Sequence, residues 1–193
     1  MTQPIRFHIV TLGCSKNQVD SEGMALRLIA QGLEPTDDPR RARVLIVNTC
    51  GFLAAARAES RAAIEQLLAK RRPDQIVIAA GCMVSLDEHR QEVPEGVDAL
   101  LSTREWTRID SVVAELLGLP IASVRTDEAA FPSFHRLPTA RPSAYVKIAD
   151  GCDHRCSFCA IPLIKGNQVS KRPSDIVREI RELVDAGTKE VVL

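Results

Sequence analysis

The sequence has no excess of charge of either sign, because Lys plus Arg and Asp plus Glu both number 25. No overall electrostatic field therefore points to a nucleic-acid partner, although the composition leaves room for a local basic patch. The hydrophobic content of 45% and the charged content of 26% are those of an ordinary globular protein. With 193 residues, the chain is long enough for one large domain or two small domains.

Long apolar segments are missing as well. The N-terminus has no basic segment followed by a long apolar run, so the sequence shows no secretory signal. No stretch approaches the roughly 18 consecutive apolar residues that a membrane-spanning helix requires. We therefore expect a cytoplasmic protein with no membrane partner. In that compartment, the six cysteines indicate metal or redox chemistry rather than disulfide bonds.

Three of these cysteines share one short segment, residues 150–166. They are Cys152, Cys156 and Cys159, in the spacing C-x3-C-x2-C, on a predicted loop between an apolar strand and a helix. A [4Fe–4S] cluster is normally held by four thiolates, one on each iron. Three cysteines would leave the fourth iron open to a substrate, so the spacing favours a reactive cluster over a simple electron store. We call these residues the loop trio.

The loop trio is also compatible with other chemistry. His154 lies between its cysteines, and three thiolates with one imidazole form an ordinary structural zinc site, although such ligands usually come in separated pairs. Disulfide bonds would require an oxidising compartment. Buried thiols without a function are a further interpretation, but three of them rarely cluster in one short loop.

The first part of the chain alternates predicted strands and helices. Apolar runs predict strands at 6–12, 42–48, 75–80 and 97–101. Helices are predicted at 54–70, near 85–91, at 105–117, and after Asp20, which we expect to cap the first helix. This alternation predicts an α/β fold, in which helices cover the faces of a parallel sheet.

The other three cysteines, Cys14, Cys50 and Cys82, each follow the end of a predicted strand. Because the carboxyl ends of parallel strands meet at one edge of a sheet, we expect these residues to come together there. We call them the sheet-edge trio and predict a three-thiolate metal site, for which the residues alone leave zinc and iron–sulfur open. A glycine beside each cysteine would let the backbone approach a bulky cluster.

The remaining sequence predicts a connection and the start of a second domain. Residues 119–142 lose periodicity and contain four prolines, which indicates a linker between domains at 1–118 and 143–193. A strand is predicted at 143–149 before the loop trio, and another at 189–193. Between them, a helix from Pro173 to Gly187 is expected to bury an apolar stripe of Ile176, Val177, Ile180, Leu183 and Val184. This order is one βα repeat and the next strand of a parallel barrel.

Four stretches resemble the methylthiotransferase family of radical S-adenosylmethionine (SAM) enzymes. They are residues 11–22, 48–52 and 79–82, and the loop trio with the aromatic Phe158 before its last cysteine. The run after Cys14 and the Gly-Phe pair after Cys50 are similar to the ribosomal-protein branch of that family rather than to its transfer-RNA branch.

The resemblance implies a fold, two cofactor sites and an activity. The first domain would be of the flavodoxin-like, UPF0004 type, and the second would be the first part of a radical SAM (β/α) barrel. An unpaired strand at 189–193 would leave an exposed sheet edge, so we expect the chain to be a fragment. Each trio would hold one [4Fe–4S] cluster, and the open iron of the loop trio would bind SAM. The activity would be radical insertion of sulfur and a methyl group at the β-carbon of an aspartate of the twelfth small-subunit ribosomal protein.

The resemblance also implies partners and leaves alternatives. The partners would be the ribosomal-protein substrate, an electron donor such as flavodoxin or ferredoxin, and nucleic acid through a C-terminal domain absent from this chain. One alternative is a methylthiotransferase acting on adenosine in transfer RNA. Alternatives of other classes are a non-catalytic iron–sulfur electron carrier and a zinc-binding interaction module. No catalytic residue is predicted beyond the six cysteines.

Several neighbours of the cysteines have predicted roles. Phe158 is expected either to pack against the adenine of SAM or to fill core space beneath the loop. Lys165 is expected to be solvated, with a phosphate or carboxylate contact as the alternative. Lys16 would either stabilise an anionic cluster or be solvated. Hydrogen bonds to cluster sulfides, or turn and cap roles, are expected of three polar residues: Ser15, Asn48 and Thr49.

Overall fold

The computed structural model describes residues 4–121 and 142–193, so the predicted linker lies outside the described residues except at its two ends. The first part alternates strands and helices as the sequence predicts. Its elements are β1 (Arg6–Thr11), α1 (Ser15–Ala30), β2 (Glu34–Pro35), β3 (Val44–Thr49), α2 (Ala54–Ala69), β4 (Ile76–Gly81), α3 (Asp87–Arg90), β5 (Ala99–Ser102) and α4 (Ile109–Leu117).

These five strands form one parallel sheet in the order β2-β1-β3-β4-β5. That order is the flavodoxin-like arrangement, so the predicted α/β fold of the first part is confirmed. β2 lies on one side of β1, and β3, β4 and β5 follow in turn on the other side. The carboxyl ends of β1, β3 and β4 therefore lie side by side, which fixes where the site is built.

The sheet is buried because helices cover both of its faces. All six residues of β3 are buried, as expected for a continuous apolar strand in the centre of a parallel sheet. On one face, α1 and α4 pack through Leu28 and Val113 against Ile46 and Ile78. On the other face, Ile64 of α2 packs near Val47 and Ala79. Each fully buried aliphatic side chain contributes about 1.5–3 kcal/mol.

One local expectation for this part is wrong, and one short strand was not predicted. The first helix begins at Ser15, with Cys14 at its N-cap, so Asp20 is not a cap but lies inside the helix and is 3% exposed. An aspartate buried there requires a cationic partner, which the second part of the chain supplies. The sequence also gave no sign of β2, because two residues are too short to show a periodic pattern.

The second part contains a strand–helix–strand unit around the loop trio. Its elements are β6 (Ser143–Tyr145), β7 (Ala149–Asp150), α5 (Ile161–Lys165), β8 (Val169–Ser170), α6 (Pro173–Asp185) and β9 (Glu190–Val192). Strands β6 and β9 pair in parallel, with α6 between them in sequence, which is the predicted βα repeat. The strand expected over 143–149 is shorter than predicted. β6 ends at Tyr145, and Ala149 belongs to a separate strand, β7, which pairs antiparallel with β8 and closes the loop.

The apolar stripe expected on α6 is only partly buried. Leu183 is 3% exposed, whereas Val177 and Val184 are 45% and 53% exposed. The inward face of the helix instead includes Glu179, which pairs with the buried Lys171.

Among the described residues, no helix has both the length and the apolarity needed to cross a membrane.

Candidate metal centres

The sheet-edge trio lies at the carboxyl edge of three adjacent strands. Cys14 follows β1 at the start of α1, Cys50 directly follows β3, and Cys82 directly follows β4. Since β3 lies between β1 and β4, the three thiols are brought to one place although they are far apart in sequence. Cys14 is exposed, Cys50 is half-buried and Cys82 is 7% exposed, so the thiols extend from the surface into the protein.

Two glycines allow the three loops to come this close. Gly13 has φ of +91°, and a Cβ there would lie 2.8 Å from the Cβ of Cys50 and 3.0 Å from its Sγ. At Gly51, a Cβ would lie 2.7 Å from the carbonyl carbon of Cys82. Both distances are too short for a real side chain, so each loop approaches the next only because glycine lacks a Cβ.

Asn17, which sequence reasoning did not assign a role, holds the three strand ends together. Its Nδ2 donates to the carbonyl of Leu12 and to the carbonyl of Thr49, both at 2.9 Å. Its Oδ1 accepts a weak hydrogen bond from the Sγ of Cys82 at 3.8 Å. Asn17 is 1% exposed, and the available signal was a polar residue on the buried face of an amphipathic helix.

Asn48 and Thr49 use their donor hydrogens in structural hydrogen bonds rather than toward a cluster. The Nδ2 of Asn48 donates to the carbonyl of Asn17 at 2.8 Å and to the Oγ of Ser21 at 2.9 Å. The hydroxyl of Thr49 donates to the carbonyl of Ala80 at 2.6 Å. Asn48 therefore joins the end of β3 to α1, and Thr49 joins β3 to β4, which is neither of the two roles that we expected.

Cys82 has the most perturbed thiol of the sheet-edge trio. Burial raises its pKa to about 11, and the nearby ammonium of Lys165 lowers it in part. The neighbouring thiols of Cys50 and Cys14 raise the pKa of Cys82 further. A thiol in this setting needs a cation or a metal beside it to become a thiolate.

The loop trio lies in an exposed turn that is closed by backbone hydrogen bonds. The amide of Cys152 donates to the carbonyl of Gly166 at 3.1 Å, and the amide of Cys159 donates to the carbonyl of Cys156 at 3.1 Å. Cys156 is exposed, while Cys152 and Cys159 are half-buried. The loop is thus held at both ends, and its thiols remain accessible.

A cavity of about 920 Å³ opens beside the loop trio. Cys156 and Cys159 line it from the loop, and Thr103, Arg104 and Trp106 line it from the end of the five-stranded sheet. The volume is in the range of sites that enclose a cofactor or a drug-sized ligand. A ligand in this cavity would contact both parts of the chain.

Phe158 lies on the outside of this loop. Its side chain is 89% exposed, so the expectation that it fills core space is wrong. The aromatic face is available for a ligand, which is the other role that the sequence suggested. Ser15 is half-buried at the start of α1, and no hydrogen bond of its side chain within the described residues fixes a role for it.

Lys165 is not the solvated lysine that we expected. Its side chain is 4% exposed, and its Nζ lies 3.1 Å from Asp150 and 4.0 Å from Asp20. Burial alone would lower the pKa of Lys165, but the carboxylates of Asp20 and Asp150 outweigh that effect and raise it. Burial would likewise raise the pKa of Asp150, but Lys147 and Lys165 outweigh it and lower that pKa. Lys16 lies at the margin, where its Nζ donates to the carbonyl of Ala149 at 3.1 Å.

The donor sets of both trios fit iron–sulfur clusters. Within residues 4–121 and 142–193, there is no group of three or more His, Cys, Asp or Glu side chains placed to hold a single metal ion. Each trio offers three separate thiols, and thiolates are the ligands that hold such clusters. At the sheet edge, the loops can approach one another because glycines line them, and at the loop trio a large cavity adjoins the thiols.

Two family models match the chain in the regions of the two trios. The fold and the sites define an α/β protein in which a flavodoxin-like sheet domain is joined to a segment, residues 146–193, that matches the radical SAM superfamily. Residues 6–102 match the family described as "Uncharacterized protein family UPF0004". The chain belongs to this family.

The chain is also similar to proteins named ribosomal protein uS12 methylthiotransferase RimO. The relative from Roseiflexus sp. (strain RS-1) is 44% identical over 98% of this chain and 45% of its own length. Those from Roseiflexus castenholzii and Chloroflexus aurantiacus are 43% and 42% identical, over 98% of this chain and 45% and 46% of their lengths. The resemblance that the motifs indicated is therefore confirmed, and the chain spans less than half the length of these relatives.

Proposed function

We propose that this chain carries the two cysteine sites of a radical SAM methylthiotransferase that modifies an aspartate of ribosomal protein uS12. The observation that carries the proposal is the presence of two three-thiol sites in one structure, one at the edge of a parallel sheet and one beside a cavity. Relatives that bear this enzyme name match 98% of the chain, which supports the same assignment. A non-catalytic electron carrier would need neither the cavity nor a cluster with an open iron.

Each trio has its own task in this proposal. Cys14, Cys50 and Cys82 would hold one [4Fe–4S] cluster, and the loop trio would hold a second, which would leave one iron without a cysteine ligand and so provide a place for SAM. When bound, the clusters and SAM supply the one-electron chemistry, the sulfur and the methyl group that a protein side chain cannot provide. The sheet domain, residues 1–118, and the barrel segment, residues 143–193, are joined by the linker at 119–142.

The protein's own residues position and enclose these groups. Asn17 and the glycine contacts fix the distances between the strand ends that carry the sheet-edge trio. Phe158 packs against the adenine of SAM from the outer side of the loop. The substrate aspartate enters the cavity between the two parts. The enzyme acts in the cytoplasm, and a small carrier such as flavodoxin or ferredoxin supplies its electrons.

The first test is metal and sulfide analysis of the chain after anaerobic reconstitution with iron and sulfide. About eight irons with matching sulfide per chain are expected, four for each cluster. Tight binding of zinc without sulfide would overturn the proposal in favour of an interaction module. Addition of SAM should then change the electron paramagnetic resonance signal of the reduced loop cluster, whereas an electron carrier would show no change.

The second test is product analysis with a protein of the relatives' full length that includes this chain. Incubation with SAM, a reductant and uS12 should add one methylthio group to an aspartate of uS12, detected by peptide mass spectrometry. Transfer RNA is the matched competing substrate. A methylthio group on adenosine, with uS12 unmodified, would contradict the choice of substrate but retain the reaction class.

A further inference from the structure

Four charged side chains lie between the five-stranded sheet and the loop trio, three of them buried and one, Asp150, half-buried. They form what we call the interdomain charge cluster: Asp20 of α1, Lys147 and Asp150 before the loop, and Lys165 at the end of α5. Lys147 pairs with Asp20 and, at 3.0 Å, with Asp150. The side chains of Lys147 and Lys165 are each 4% exposed.

Stability alone does not account for this cluster. Burying the charges of Asp20, Lys147 and Lys165 costs several kcal/mol for each ion, and a well-packed apolar contact of the same volume is commonly as stable or more stable. The two carboxylates and two ammonium groups balance in charge, and each lysine lies within ion-pair distance of both aspartates. Such an arrangement fixes a geometry, because moving one member leaves a buried charge without its partner.

The interdomain charge cluster lies between the two trios. On one side, Asp20 is one helical turn from Asn17, which accepts the hydrogen bond of Cys82. On the other side, Asp150 precedes Cys152 by two residues, and Lys165 ends the helix that follows Cys159. The carbonyl of Ile164, the neighbour of Lys165, also accepts a hydrogen bond at 3.2 Å from Thr103, near the end of the sheet.

Lys165 lies close to the sheet-edge trio. Its Nζ is 4.0 Å from Asp20, which is one turn along α1 from Asn17, the residue that accepts the hydrogen bond of Cys82. In agreement with this placement, burial and the carboxylate of Asp20 raise the pKa of the Cys82 thiol, and the ammonium of Lys165 lowers it in part. A lysine from the second part of the chain thus provides a buried cation for a site whose ligands all come from the first part.

We infer that Lys165 is a positioning residue shared by the two sites, whose ammonium, held by Asp20 and Asp150, lies near the sheet edge that carries Cys82 and stabilises the more negative, reduced state of an iron–sulfur group on the sheet-edge trio. The inference rests on the proposed function, because it requires such a group at that trio. The reduction potential of a cluster depends on its net charge and on nearby dipoles and charges, and a fixed cation raises it. Docking of the barrel segment therefore adjusts the cluster of the sheet domain.

The experiment isolates the sheet-edge cluster. In the chain with Cys152, Cys156 and Cys159 all replaced by Ala, about four irons should remain after reconstitution, and their midpoint potential is read from the electron paramagnetic resonance signal during reductive titration. We expect Lys165→Met to lower the ratio of reduced to oxidised cluster at a fixed potential by about tenfold, which is ~59 mV for one electron. Lys165→Arg should restore most of the ratio.

Two further variants separate this role from a merely structural one. Lys171→Met removes another buried lysine, whose partner is Glu179, and should leave the potential unchanged. The double variant Lys165→Met/Asp150→Asn removes the cation without leaving Asp150 unpaired, so it should fold and still shift the potential in the same direction, by less than Lys165→Met because one negative charge is lost with the cation. An unchanged potential in the double variant, with iron content equal to the parent, overturns the inference. Absence of iron from the parent itself would instead refute the proposed function, and with it the inference.

Discussion

Cys82 directly follows β4, a buried strand inside the sheet, whereas Cys156 lies on an exposed loop that two backbone hydrogen bonds close. The sheet-edge trio is assembled from three distant parts of the sequence, so its geometry depends on the whole five-stranded sheet. The loop trio comes from eight consecutive positions, 152–159, and depends on one local turn. We therefore expect the sheet-edge trio to be sensitive to packing far from its thiols, and the loop trio to be insensitive to it.

The largest effects are expected from removing one thiol of each trio. Cys82→Ala and Cys156→Ala should each lower iron from about eight to about four per chain, because a cluster held by two thiolates is lost. Only Cys156→Ala should abolish the effect of SAM on the electron paramagnetic resonance signal. In a protein of the relatives' full length, both changes should abolish methylthiolation of uS12. Retention of all iron by either variant would contradict the ligand assignment.

The dependence of the sheet-edge trio on close packing is tested by Gly13→Ala. Its matched control is Gly32→Ala, because Gly32 has nearly the same backbone angle, φ of +90°, but nothing within 4 Å of an added Cβ. The positive φ should cost roughly 1–2 kcal/mol at either position. At Gly13, contact with Cys50 should add about 1–3 kcal/mol.

The measurements are urea unfolding of both variants and iron analysis after reconstitution. We expect Gly13→Ala to lose the sheet-edge cluster but keep the loop cluster, and Gly32→Ala to keep both. Equal destabilisation by the two substitutions would show that backbone strain, and not the approach of the loops, determines the stability of this edge.

Much of this contrast could be predicted from the sequence. The apolar run that became β3 and the cysteines after each strand end were sufficient to predict a parallel sheet with three thiols at one edge, because topology alone brings such ends together. The loop trio needed only its spacing. These features are local patterns whose consequence in three dimensions is nearly independent of side-chain detail.

The buried polar residues could not be predicted in the same way. Asp20 was interpreted as a helix cap and Lys165 as a solvated side chain, since each residue type is usually found in that setting. Asp20 pairs with Lys147, which is 127 residues away in the sequence, and Lys165 pairs with Asp150, which is 15 residues away. A single sequence does not reveal which separated residues become ion-pair partners in the fold, so the interdomain charge cluster appeared only in the structure.

A smaller effect is expected from acidification, which acts on the charges between the two sites. The ammonium groups of Lys147 and Lys165 outweigh burial and hold the pKa of Asp150 below its ordinary value of 3.8. The carboxylate therefore contributes stability above that pH, and the contribution is lost as the pH falls through the lower pKa of the folded state. Asp150→Asn should remove this part of the acid dependence.

Urea unfolding of the chain without iron, over a pH series from neutral to strongly acid, measures this effect. The control is Asp185→Asn, which changes an exposed aspartate at the end of α6. We expect the stability of the Asp150→Asn variant to fall less steeply below about pH 4 than that of the parent, and the control to follow the parent. Parallel curves for the parent and Asp150→Asn would show that the ion pairs of Asp150 do not stabilise the folded state.

The smallest effect on stability is expected at the loop trio, from Phe158→Ala. The ring is 89% exposed, so its removal should change the free energy of unfolding by less than about 0.5 kcal/mol. If the ring packs against adenine, SAM should bind more weakly by about 0.5–1.5 kcal/mol, a loss of several-fold in affinity. Leu163→Ala is the control, since Leu163 is also an exposed apolar side chain, at 67%, but lines the cavity beside the loop, which Phe158 does not. The measurement is a titration of the reconstituted full-length protein with SAM, and an unchanged affinity in Phe158→Ala would leave the exposed ring without a role in the site. A loss of affinity in Phe158→Ala but not in the control would show that one loop residue can alter the loop trio's site. It would do so at no cost to the fold on which the sheet-edge trio depends.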